Sequence, residues 1–181
     1  IEGKRCERLT VPRARALGVA VVYQDLALAD HLDVAANIWL GAEPLKWGVF
    51  LDRARMIADA EKLLARLSIR LIARGVPVGS LSGGQRQAVA AVRAIAQGGR
   101  ILIMDEPTAA MGVRESSHLL EIMAQLRDQG VTLLCISHNL PQILQIADRV
   151  TVLRRGLTVR EEPARGLDPL KLAGWMSGAL S

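Results

Sequence analysis

Four short, largely apolar runs most narrow the folds open to this chain: residues 19–23, 101–104, 131–136 and 150–153. Apolar residues that continue rather than alternate mark strands covered on both faces, which is the situation in parallel sheets. The segments between them carry a helical period. In residues 53–67 the apolar positions Met56, Ile57, Ala60, Leu63, Leu64 and Leu67 fall on one helical face. Leu119, Leu120, Ile122, Met123 and Leu126 do the same ahead of Gly130, a good helix stop. Residues 83–96 read as an alanine-rich helix closed by Gly98 and Gly99. From residue 101 onward the order strand, helix, strand, helix, strand implies crossover connections and a parallel sheet. The mainly helical stretch between Tyr23 and Gly79 reads as an inserted helical subdomain. The expected class is therefore α/β, with a parallel sheet flanked by helices and a helical insert. Gly156 and Pro163 mark a looser tail, which ends in a short amphipathic stretch over residues 170–176.

Composition agrees with one domain. Half of the 181 residues are apolar, which excludes intrinsic disorder and permits a substantial core. With one Tyr, one Phe and three Trp, that core is aliphatic. No apolar run approaches the roughly 18 to 20 residues that span a bilayer. The two cysteines, Cys6 and Cys135, form neither a disulfide framework nor a metal cluster, and the cytoplasm is the expected compartment. Cys135 lies in an apolar run and reads as a small core residue. The net charge of +5 is spread among acids, and aromatics for base stacking are sparse, so a solvated surface is expected rather than a nucleic-acid partner. The first residues, Ile1-Glu2-Gly3-Lys4, contain no initiator Met and no signal peptide, and read as a chain entered in mid-course.

Two constellations carry chemistry. Ile101-Leu102-Ile103-Met104-Asp105-Glu106 is a buried strand that delivers two carboxylates to its C-terminal end, where open α/β sheets bind ligands. An Asp there can hold Mg²⁺, and a neighbouring Glu can activate a water. A strand that merely runs into a polar turn would look similar. Leu81-Ser82-Gly83-Gly84-Gln85-Arg86-Gln87 opens a helix. Ser82 can cap it and donate a hydroxyl, and the two glycines let an anion approach backbone N–H groups favoured by the helix dipole. Ser-Gly-Gly is also a common loop start. The complete string decides for the first reading: it resembles the signature motif of ABC ATPases, and the carboxylate strand resembles their Walker B motif.

Two single residues fit the same family. His138 follows the run 131–136 and matches the switch histidine, although a lone His is more often a surface or core residue. Gln24 follows the run 19–23 and matches the Q-loop glutamine. Four matches in the family's order make coincidence improbable. The segments Tyr23-Gln24-Asp25-Leu26-Ala27-Leu28, Asn37-Ile38-Trp39-Leu40-Gly41 and residues 107–115 are similar to monosaccharide importers, as is Trp175-Met176-Ser177-Gly178. Gly112 stands where most of the family carries an Asp, a departure that many sugar importers share.

The resemblance implies a P-loop NTPase-type fold and a head-to-tail dimer of ATPase subunits enclosing ATP and Mg²⁺. Ser82, Gly83, Gly84 and Gln85 would contact the γ-phosphate held by the other subunit. Asp105 would support the metal, Glu106 would be the general base, and His138 would hold the γ-phosphate. Gln24 would sense metal and water and signal to membrane permease subunits, with a solute-binding protein engaged indirectly. The implied location is the inner face of the membrane. The segments would be residues 1–24, the end of the N-terminal β region with the Q-loop; 25–80, the helical subdomain; 81–155, signature, Walker B and switch region; and 156–181, the tail.

No Gly-x-x-x-x-Gly-Lys-Ser/Thr occurs in the 181 residues, and only 23 precede Gln24. The phosphate loop, its strand and the aromatic that stacks on adenine are therefore expected upstream of Ile1, so that the N-terminal part of the fold is missing. The 181 residues by themselves are expected to bind MgATP weakly and to leave an apolar sheet face open. A truncated module that docks on a permease or full-length partner without catalysis is the alternative. A soluble ABC ATPase of DNA repair or translation fits less well, because no sustained heptad pattern appears.

Overall fold

The structure is a computed structural model that describes all residues except Glu2, Lys4, Gln24, Ala73, Ala110 and Ser181. The chain divides into two compact units, Ile1–Ile136 and Ser137–Ser181.

The first unit is built on a three-stranded parallel sheet, in the order β1 (Val19–Val22), β4 (Ile101–Asp105), β5 (Thr132–Ile136). The apolar runs become these strands, each shifted by about one residue at an end. Before β1 a short helix, α1 (Val11–Ala16), occupies a stretch where no element was expected. Between β1 and β4 the insert holds α2 (Val34–Trp39), a hairpin of β2 (Leu45–Lys46) and β3 (Phe50–Leu51), and α3 (Arg53–Arg66). A helix α4 (Gly83–Ala96) then leads to β4, and α5 (Val113–Asp128) connects β4 to β5. The caps explain the helix starts. Asp33 accepts from the Ala36 amide at 2.9 Å, and Asp52 from the Arg55 amide at 3.0 Å. The hairpin in the helical insert was not anticipated, and its turn rests on positive φ at Trp47 and Gly48.

One core runs through this unit. Val34 and Ile38 of α2, Ala60 and Leu64 of α3, Val89 and Val92 of α4, Leu102 of β4 and Leu126 of α5 are all buried within it. Residues paired across parallel strands share a sheet face. Ala20, Leu102 and Leu133 therefore lie on one face, as do Val22, Met104 and Cys135. This is the covered face, with Leu102 and Met104 at 0 % exposure. The opposite face carries Val21, Leu134 and Ile136, exposed by 40 %, 55 % and 50 %. An open apolar face was expected of the sheet, and it is present.

The second unit departs from expectation. Residues 150–153 were taken into the strand–helix alternation and residues 156–163 into a loose tail. Instead β6 (Arg149–Arg154) pairs antiparallel with β7 (Leu157–Pro163) in a separate two-stranded sheet. The reason is local. Arg154 pairs with Leu157, leaving a two-residue loop in which Arg155 and Gly156 have φ of 51° and 79°. Positive φ at both positions matches the twist of a hairpin, and glycine meets it without strain. A short helix α6 (Leu140–Ile143) precedes the hairpin, and α7 (Pro169–Ser177) follows it over the expected amphipathic stretch. Asp168 caps α7, and buried Leu172 and Trp175 of that helix pack with Val152.

Candidate functional site

The start of α4 is a reciprocal capping box. The Gln85 side-chain oxygen accepts from the Ser82 amide at 3.0 Å, and the Ser82 Oγ accepts from the Gln85 amide at 3.4 Å. Ser82 Oγ is thus an acceptor toward its own helix, and its O–H proton stays available to donate outward. The N–H groups of Gly83 and Gly84 have no intrahelical acceptor at these positions. The geometry offers an anion one hydroxyl, two amides and the positive end of a helix of 14 residues. The two glycines differ in surroundings. A Cβ on Gly83 would meet Met111 at an ordinary 3.6 Å, whereas one on Gly84 would stand 3.1 Å from the Glu115 carbonyl oxygen of α5. Gly84 therefore has a packing reason to lack a side chain, in addition to its place in the motif. Ser82→Ala is expected to cost about 1 kcal/mol of stability, because the cap is lost and no new clash is made. Urea denaturation checks this, and a loss below a few tenths of a kcal/mol would show that the box does not stabilise α4.

The carboxylates lie at the end of β4. Asp105 is exposed and in register with Ile136, on the open face of the sheet. Glu106 follows with φ of 46°, a left-handed conformation that costs a non-glycine residue about 1 kcal/mol or more. Its backbone is held on both sides: the Glu106 amide donates to the Ile136 carbonyl at 2.9 Å, and its own carbonyl accepts from the Ala109 amide at 3.0 Å. Pro107 is buried, and its carbonyl accepts from Nε2 of Gln87 at 3.3 Å. Gln87 belongs to the second turn of α4 and is 6 % exposed. The capped helix start and the carboxylate turn are therefore joined by a buried amide. Gln87 closes the motif read from the sequence, but a helical Gln carries no signal of this contact.

The two acids also set the electrostatics of their surroundings. Cys135, in register with Met104, is half-buried rather than fully in the core. Its thiol is pushed up to about 11 by burial, with Glu106 and Asp105 adding to the shift.

The remaining candidates fall elsewhere. His138 is exposed and belongs to the second unit, two residues before α6; its carbonyl accepts from the Leu140 amide at 3.1 Å. Gln24 lies outside the described residues. Among the described residues no group of three or more His, Cys, Asp or Glu side chains could hold a metal by itself. Asp105, exposed at the end of β4, could supply one carboxylate to a divalent cation. No helix among the described residues is long and apolar enough to cross a membrane.

The sequence profile of the ABC transporter family matches residues 1–109. The chain is 42 % identical to the fructose import ATP-binding protein FrcA of Rhizobium meliloti over 163 residues, covering 86 % of this chain and 63 % of that protein. It is also 42 % identical to the ribose import ATP-binding protein RbsA 3 of Rubrobacter xylanophilus over 178 residues, covering 98 % and 36 % respectively. Among solved structures, cbiO1 from Clostridium perfringens, part of the ABC transporter complex cbiONQ, superposes with a TM-score of 0.69 at 20 % identity, over 93 % of this chain and 65 % of its own. The dimeric post-hydrolysis state of the ATP-binding cassette MJ0796 bound to ADP and Pi gives 0.65 at 21 % identity, over 92 % and 73 %. These structural likenesses establish the fold. The chain spans between about a third and two thirds of the length of the curated relatives it matches.

Proposed function

The chain belongs to the ABC transporter family, and from that premise we propose that it is the part of an ATP-hydrolysing subunit that activates water and completes a partner's nucleotide site. The observation that carries the proposal is the bond from Gln87 to the Pro107 carbonyl, which fixes a capped, anion-ready helix start to a carboxylate turn within one compact unit. Sugar import is the transport reading, since the relatives are named for import of fructose and ribose.

The roles follow from the chemistry of each group. Glu106 takes the proton of the lytic water, and its constrained backbone fixes where that proton goes. Ser82 donates its hydroxyl to the γ-phosphate of the ATP held by a second subunit. Gly83 and Gly84 add backbone N–H groups there, and the Gln85 side chain keeps the cap closed. His138 holds the γ-phosphate when the dimer closes, and Gln24 orients water and metal. Bound Mg²⁺, held by Asp105 and reached by Gln24, would neutralise phosphate charge. Hydrolysis of this kind depends mainly on positioning and on charge stabilisation. Two subunits lie head to tail, and residues 25–80 dock on a permease at the cytoplasmic face of the membrane. A solute-binding protein acts through the permease. Residues 81–155 carry the chemistry, with 1–24 before and 156–181 after them.

The test is phosphate release by the intact polypeptide that carries these residues, with and without its permease and sugar-loaded binding protein. Mg²⁺-dependent ATP hydrolysis that rises several-fold on assembly is expected. Absence of ATP hydrolysis in the full assembly would contradict the reading.

A further inference from the structure

The face of α4 that carries Arg86 and Arg93 holds a second device. The two arginines are seven residues apart, two helical turns along one face. Nη2 of Arg93 donates to the Leu26 carbonyl at 2.6 Å, and Nη1 donates to the Ala27 carbonyl at 2.9 Å. At the other end, Nη2 of Arg86 meets Oδ1 of Asp30 at 2.7 Å. The amide of Gly79 donates to the Asp30 carbonyl, and that of Val78 to the Leu32 carbonyl, each at 2.9 Å. Residues 26–30 are thus laid along α4 and fastened at both ends, beginning two positions after Gln24.

The fastened segment is strained. Ala27 has φ of 47°, in the left-handed region, and its amide donates to the Asp25 side chain at 3.1 Å. A non-glycine residue stays in that region only where its surroundings over-determine it. The planar guanidinium does so, because its fixed fork reaches two successive carbonyls at once. A lysine ammonium, a single compact charge, cannot hold both in that geometry.

We propose that Arg93 is a positioning residue for ATP turnover: it holds the turn that follows Gln24 at a fixed distance from the helix start formed by Ser82 to Gln85. The inference rests on the reading that Gln24 and that helix start both act on nucleotide. With the fork lost, residues 26–30 and the helix start would sample misaligned positions, and displacement of about 1 Å can cost up to 10²-fold in rate.

The experiment uses the intact polypeptide assembled with its permease, with Arg93→Met, Arg93→Lys and Asp30→Ala compared to wild type. Amide hydrogen exchange at Ala27 and steady-state ATPase kinetics are measured. Arg93→Met is expected to speed exchange by tenfold or more and to lower kcat about tenfold with little change in KM for ATP. Arg93→Lys is expected to restore the melting temperature without restoring kcat. Asp30→Ala, an exposed change that keeps α4 whole, is expected to lower kcat in the same direction by a smaller factor. If Arg93→Met does not fold, the other two variants decide. A kcat that returns together with the melting temperature in Arg93→Lys, or exchange that is unchanged in Arg93→Met, overturns the proposal. Absence of ATPase in the wild type would overturn the functional reading instead.

Discussion

Glu106→Gln is expected to lower ATP turnover in the assembled protein by roughly 10²- to 10⁴-fold, the range that a positioned general base contributes. The substitution keeps the volume and hydrogen-bonding reach of the side chain while removing its ability to accept a proton from water. It leaves the backbone bonds from Glu106 to Ile136 and Ala109 in place, so the turn itself persists. ATP affinity is therefore expected to stay within a few-fold, because the carboxylate is not the group that holds the phosphates. Phosphate release gives the first quantity and calorimetric titration the second. A rate within threefold of wild type would remove Glu106 from the mechanism.

The largest expected loss of stability is at a residue with no part in the chemistry. Asn37 is fully buried, and its amide is used at every point. Its Oδ1 accepts from the Ala29 amide at 2.8 Å. Its Nδ2 donates to the carbonyls of Ala29, Leu32 and Asp33 at 3.0, 3.2 and 3.1 Å. It therefore ties α2 to the loop that runs from β1 into the helical insert. Asn37→Ala orphans the Ala29 amide, while the three carbonyls keep the main-chain amides of Leu32, Val78 and residue 37, and the expected cost is about 1 to 3 kcal/mol. Urea unfolding followed by circular dichroism measures it, and a loss under about 1 kcal/mol would contradict this account of the loop.

Much of this architecture was legible because its signals are local. The apolar runs became β1, β4 and β5, and Ser82 with Gln85 announced a helix start that the structure closes as a capping box. Asp105 and Glu106 were legible as the end of a buried strand. What was missed depends on residues far apart in sequence. Arg93 meets the Ala27 carbonyl across 66 positions, and Gln87 meets the Pro107 carbonyl across 20. No periodicity or short motif encodes either bond. The left-handed backbone at Glu106 and Ala27 is equally silent, since neither residue is a glycine. The hairpin of β6 and β7 could have been read from the pair Arg155-Gly156 between two extended stretches. It was hidden by the expectation that strand and helix would keep alternating. Cys135 looked like core because its run is apolar; it does lie on the covered face of the sheet, but it is only half-buried there.

The central claim is that one subunit supplies the base to its own nucleotide and the helix start to its partner's. Mixed dimers of the intact polypeptide test it directly, using Glu106→Gln to remove the base and Gly83→Asp to spoil the helix start. Gly83 has room for a Cβ, with the nearest atom at 3.6 Å, and an acid there suits the helix N-terminus while repelling phosphate. With both changes on the same chain, each site of a dimer with wild type has one defect. With the changes on opposite chains, one site carries both defects and the other is intact. The account predicts that the opposite-chain dimer hydrolyses ATP at least about tenfold faster than the same-chain dimer, as removal of a general base requires. Faster hydrolysis by the same-chain dimer would mean that base and helix start serve the same nucleotide, and would contradict it.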